Sequence, residues 1–229
     1  MCHLKLWMWG MSGGGSEGEK AERMAFILAL RQHGIRDVAV LRAMELVPRP
    51  LFVDPQLRAH AYDDVSLPIP CGQTMSQPSL VATMTEALGA TAEHAVLEVG
   101  TGSGYQAAVL SHLAARVVTV DRYRTLVSEA VARYEVLGLR NLTAYVGDGM
   151  QGMSSRAPFD RIMVTAAARE IPPALLDQLK FGGVLLIPLG KGDEVQMLVR
   201  VVKEHSGNQV RELMPVRFLP LIPGTAATL

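Results

Sequence analysis

The chain has 229 residues, 49% of them hydrophobic and 19% charged, enough to bury the core of one large domain. Lys+Arg and Asp+Glu number 22 each, so no excess charge marks a nucleic-acid or anionic-membrane partner, and no apolar run reaches the roughly 18 residues of a membrane span. Two cysteines, Cys2 and Cys71, make no disulfide framework and fit a reducing cytoplasm.

Residues 1–18 carry no cleavage pattern of secretory type and end in the Gly/Ser-rich run SGGGSEG. They are expected to form a disordered, dispensable tail, with Met11 as a second candidate start. Residues 19–229 are expected to be a single domain whose first part, 19–90, is a helical cap. A first helix places Met24, Ile27, Leu28 and Leu30 on one face and ends near Gly34. A second uses Val38, Leu41, Met44 and Leu46 and is stopped by Pro48 and Pro50. A proline-rich connection follows, and Pro78 suits the first turn of a third helix. Methionines such as Met24, Met44 and Met75 read as core filler, and Cys71 as a small buried apolar residue.

From His94 onward strands and helices alternate. Strands are predicted at 95–99, 116–120, 142–146, 159–167 and 184–190, with helices at 106–113, 126–137 and 172–180 between them. The β-rich stretches 195–203 and 209–221 are separated by too short a turn for a crossover helix, so they should pair antiparallel. The fold class is therefore α/β: a doubly wound, mostly parallel, Rossmann-like sheet with an antiparallel edge and a helical N-terminal cap.

In such sheets ligands bind outside the carboxyl ends of the strands, where strand order reverses. The first strand-loop-helix unit there is LEVGTGSGYQAAVL, with Gly100, Gly102 and Gly104. A dinucleotide fingerprint starting at Gly100 would need glycine at position 105, which is Tyr105, and there is no Gly-Lys-Ser/Thr for a P-loop. Glu98 at the loop's entry opposes a pyrophosphate and suits a ligand with positive charge. Asp121 ends the second strand, where an acid commonly meets ribose hydroxyls, and Asp148 with Gly149 ends the third. A glycine-rich turn alone is only a tight turn, and Asp148-Gly149 alone is a common turn pair. Three acids at three consecutive strand ends describe a nucleoside bearing a cation and no phosphates, which is S-adenosylmethionine. The histidines show no metal-ligand spacing, so no metal is expected.

LEVGTGSGYQAAVL closely resembles the first motif of the protein-L-isoaspartate O-methyltransferases. So do VPRPLFVDP (residues 47–55), GQTMSQP (72–78), VGDG (146–149) and the long segment 159–190, and the resemblance runs over roughly residues 23–221. It implies that Glu98, Gly100, Gly102 and Gly104 line the methionine and ribose part of the cofactor, that Asp121 binds the ribose, and that Asp148, with Gly149, meets the adenine. It makes Ser76 the active-site serine near the substrate carboxylate, flanked by Thr74 and Gln77, with Thr165, Ala166, Ala167 and Ala168 along the substrate channel. Two departures stand out: Asp121 replaces the family's usual glutamate, and Pro70-Cys71 stands where glycine is frequent. Ser76 also has a purely structural reading, as N-cap of the helix that follows, and a helix N-terminus could itself hold a substrate carboxylate.

The resemblance implies methylation of the free α-carboxylate of isoaspartyl residues in damaged proteins and peptides, which starts repair through a succinimide. The expected protein is a cytoplasmic monomer with no nucleic-acid or membrane partner. Alternatives are another carboxyl methyltransferase using S-adenosylmethionine, a cofactor-binding protein without turnover, and, more distantly, an NAD-dependent oxidoreductase.

Overall fold

The computed structural model describes residues 17–191 and 194–226. Residues 1–16 of the expected tail lie outside them; its last two residues belong to helix α1, Glu17–Gln32. Helix α2, Val38–Leu46, follows, with Asp37 as N-cap accepting from the amides of Ala39 and Val40 at 2.8 and 3.2 Å. Both helices are rotated from the predicted faces. Met24 is 73% and Leu28 58% exposed, while Phe26 and Leu30 are buried; in α2 the buried set is Val40, Leu41, Ala43 and Met44, and Val38 lies outside. Two stripes fit the 3.6-residue period of α1, and the aromatic one wins because Phe26 meets the ring of Tyr62 at 4.9 Å.

The proline-rich connection is ordered into 3₁₀ turns at Arg49–Phe52 and Pro55–His60, then a two-stranded antiparallel hairpin, β1 (Leu67–Ile69) and β2 (Gln73–Met75). Cys71 at the hairpin's turn takes a left-handed φ of 62° and is half-buried, so it is a turn residue and not part of the core. Helix α3, Pro78–Leu88, ends on left-handed Gly89.

The remaining elements are β3 (Ala95–Val99), α4 (Tyr105–Ser111), β4 (Arg116–Asp121), α5 (Arg124–Val136), β5 (Leu142–Val146), β6 (Phe159–Val164), α6 (Pro173–Gln178), β7 (Leu179–Leu189), β8 (Gln196–Val202) and β9 (Gln209–Val216). They form one seven-stranded sheet in the order β5-β4-β3-β6-β7-β8-β9. The pairs from β5 to β7 are parallel, and β7-β8 and β8-β9 are antiparallel, as the short connection requires. Side chains alternate between two buried layers. Val96, Val117 and Met163 face the core shared with α1–α5, whereas Leu97, Val118 and Ile162 face the core that holds Leu175 of α6. Strand β7 starts five residues earlier than predicted because Gly182 and Gly183 exchange backbone bonds with Lys203. The order reverses at β3, between β4 and β6, so a crevice opens beyond the carboxyl ends of these strands.

Candidate active site

The loop leaving β3 floors this crevice. The amide of Gly100 donates to the carbonyl of Val120 at 2.8 Å, and the Thr165 hydroxyl donates to the carbonyls of Val99 and Gly100 at 3.0 and 2.8 Å. With φ of 100°, Gly100 is pressed so close to Thr165 that a methyl group there would overlap the hydroxyl. Gly100 and Gly102 line the crevice. Gly104 does not, and its bareness serves packing: a Cβ there would stand 2.7 Å from the Tyr134 hydroxyl and 2.9 Å from Ala130 of α5.

Glu98 is also turned away from the crevice. It is fully buried, accepts a 2.5 Å hydrogen bond from Thr119 Oγ1, and its other oxygen has no partner. Burial pushes its pKa up to about 8, against the opposing hydrogen bond from Thr119. The carboxyl is thus mostly neutral at pH 7, and the expected repulsion of a pyrophosphate by its charge does not operate.

Asp121, at the end of β4, does line the crevice. Its Oδ2 accepts from the amide of Gly102 at 2.9 Å and its Oδ1 from the amide of Tyr123 at 3.0 Å. Burial raises its pKa while these backbone donors oppose the rise. The acid lies among backbone donors at the crevice wall, where a ligand's hydroxyls could also donate to it. Asp148 accepts from the Met150 amide at 2.9 Å, capping a 3₁₀ turn, and it is its neighbour Gly149 that lines the crevice.

The opposite wall is the β1-β2 hairpin and the segment after it. Thr74 and Ser76 line the crevice. Ser76 is not the helix cap that its position before Pro78 allowed. The N-cap residue is Gln77, and the capping carboxylate comes from Asp64: its Oδ1 accepts from the Ser79 amide at 2.8 Å and its Oδ2 from the Ser79 hydroxyl at 2.8 Å and the Gln77 side chain at 3.3 Å. Gln77 is drawn into that cap and away from the crevice. Asp64 also puts a negative group at this helix end, so it does not serve as the anion site for a substrate carboxylate.

Along the third side Thr165 and Ala166 line the crevice, while Ala167 and Ala168 are buried and act through their backbones. Ala167 donates to Leu219 at 2.8 Å and accepts from Leu221 at 2.7 Å, holding residues 217–222 as a further wall; Ala226 then donates to the Arg122 carbonyl at 3.0 Å on the β4 side. The sequence reading did not find this wall, although the apolar run FLPL past β9 was its signal. It also passed over Arg49, a lone charge in the proline-flanked apolar stretch VPRPLFV, which is fully buried under Ser76 and donates to its carbonyl at 2.6 Å.

Tight glycine turns, a ribose-competent acid at the next strand end and a serine on the facing wall, all at the switch point of a doubly wound sheet, define a Rossmann-like methyltransferase that uses S-adenosylmethionine. The residues fit that cofactor: Gly100, Gly102, Asp121 and Gly149 share one crevice with Ser76. The chain belongs to the protein-L-isoaspartate(D-aspartate) O-methyltransferase family, which matches it over residues 21–226. It is 78% identical over 219 residues, 96% of this chain and all of the relative, to a protein-L-isoaspartate O-methyltransferase of Xanthobacter autotrophicus. A solved protein-L-isoaspartate O-methyltransferase superposes with TM-score 0.78 at 30% identity, over 86% of this chain and 65% of the other. A Plasmodium falciparum structure described as a protein-L-isoaspartate O-methyltransferase bound to S-adenosyl-L-homocysteine gives 0.76 at 25% identity, over 87% and 98%.

Proposed function

We propose that the chain transfers the methyl group of S-adenosylmethionine to the free α-carboxylate of L-isoaspartyl residues in damaged proteins, the first step of their repair through a succinimide. The observation that carries this reading, beside family membership, is the Ser76 hydroxyl, released from helix capping by Asp64 and set in the same crevice as Gly100, Gly102 and Asp121.

The cofactor, when bound, supplies a methyl group on a cationic sulfur whose departure leaves a neutral thioether. The acceptor carboxylate has an ordinary pKa near 4 and is ionised at pH 7, so the chain needs no general base. Its task is to align the carboxylate and keep water out. Ser76, with Thr74 beside it, hydrogen-bonds and orients the carboxylate. Gly100, Gly102, Gly149 and Asp121 hold the cofactor. Thr165 and Ala166 bound the substrate channel. Among the described residues no helix is long and apolar enough to cross a membrane; a cytoplasmic monomer acting on soluble proteins fits this reading.

The test is methyl transfer from labelled S-adenosylmethionine to an isoaspartyl peptide and to its aspartyl twin. In aspartate the free carboxylate is displaced by a methylene, and an in-line reaction tolerates displacement of about 1 Å poorly. The isoaspartyl peptide should react at least ~100-fold faster, a difference of ~2.7 kcal/mol, and yield a base-labile ester. Equal rates would leave a carboxyl methyltransferase of another specificity. No transfer to either, with cofactor bound, would leave a binding protein.

A further inference from the structure

Arg49 is a charge in an expensive place. It opens the 3₁₀ turn after Pro48 and is fully buried, yet among the described residues no carboxylate forms an ion pair with it. A buried guanidinium needs compensation, or its burial destabilises the fold. Two carbonyls provide part of it: Nε donates to Ala61 at 2.7 Å and Nη2 to Ser76 at 2.6 Å. The ring of Tyr105 provides another part, its centroid 4.8 Å from the guanidinium carbon. Nη1 is buried and has no partner. Asp64 attracts the charge from farther off, but its oxygens are committed to the α3 cap.

The partners of this one planar group come from both halves of the site. Ser76 belongs to the substrate wall, whereas Tyr105 is the first residue of α4, directly after the glycine loop, and is itself wedged by Phe52 at 5.4 Å. We infer that Arg49 is a positioning residue for methyl transfer: its rigid fork fixes the Ser76 peptide relative to the cofactor loop, and its charge, which no carboxylate pairs directly, favours the arrival of the substrate's carboxylate at Ser76. This rests on the assignment of Ser76 made above. Burial lowers the pKa of the guanidinium, with Tyr105 and Asp64 acting against the fall; arginine nevertheless stays charged in proteins. Lysine could keep the charge but could not bind both carbonyls in the same plane.

The two parts of the inference separate in two variants of the full chain. Arg49→Lys should lower kcat on an isoaspartyl peptide by about tenfold or more, with peptide KM within about threefold of wild type, because fixed geometry counts in the transition state. Arg49→Met should in addition raise peptide KM at least about fivefold. Calorimetric affinity for S-adenosylmethionine should stay within about twofold in both. Amide hydrogen exchange should quicken at residues 74–77 in both, and remain slow in β3 and β4. A residue that merely fills the core would lower thermal stability and the fraction of molecules that bind cofactor, leaving kcat and KM per folded molecule unchanged; that result overturns the inference, as does unchanged exchange at 74–77. If the wild type fails on isoaspartyl peptide, the proposed function falls, while the exchange measurement still decides whether Arg49 braces Ser76.

Discussion

Replacing Glu98 with glutamine should remove a pH dependence of stability that the wild type carries through the neutral range. The wild-type carboxyl is fully buried, has one hydrogen bond from Thr119 and titrates at about 8 instead of its ordinary 4.5. Between these values the native state holds one proton that the unfolded chain has released. Stability then falls with rising pH by about 1.4 kcal/mol per unit. The contribution is fully present below pH 4.5 and lost once pH has passed 8, a total of about 3–5 kcal/mol over that interval. Glutamine keeps an oxygen for the Thr119 hydroxyl and carries no charge, so it mimics the protonated acid. Urea unfolding of both proteins at intervals from pH 5 to 9 measures the effect. The advantage of the variant should widen up to about pH 8 and level off above it. Curves that stay parallel within about 1 kcal/mol would refute the claim that this carboxyl is buried and neutral at pH 7.

Asp121→Ala should weaken S-adenosylmethionine binding by ~1–3 kcal/mol, the scale of hydrogen bonds to a charged group, with calorimetry as the check; unchanged affinity in a folded variant would remove the ribose assignment. Asp64→Ala should cost ~0.5–2 kcal/mol of stability in urea unfolding through loss of the α3 cap, and leave cofactor affinity unchanged. If it left stability unchanged, the distant cap would contribute nothing.

The sheet was legible because its strands are short apolar runs closed by glycines and acids, and because the gap between β8 and β9 is too short for anything but a hairpin. Helix orientation was less so. Met24-Leu28 and Phe26-Leu30 fit the same period, and the choice depends on Tyr62, far along the chain. The hairpin β1-β2 was hidden by Pro68 and Pro70. Within the site, residue types gave the location but not each role. Gly104 looks like its neighbours until Tyr134 and Ala130 are packed against it, and Glu98 resembles a ligand acid until the strand's pleat turns it into the core. Ser76 looked like a cap because its competitor, Asp64, lies twelve residues upstream.

The wall formed by residues 217–222 has a consequence for biosynthesis. It follows the nine strands of the described residues and is fastened by Ala167 on one side of the switch point, and through Ala226 by Arg122 on the other. A ribosome that has delivered the chain as far as Val216 has therefore still delivered an open crevice. Products interrupted between Val216 and Leu221 would contain the whole sheet and most of the core, yet lack one side of the binding site. For such an enzyme the amount of folded sheet overstates the amount of complete binding site, and the difference lies in residues 217–222.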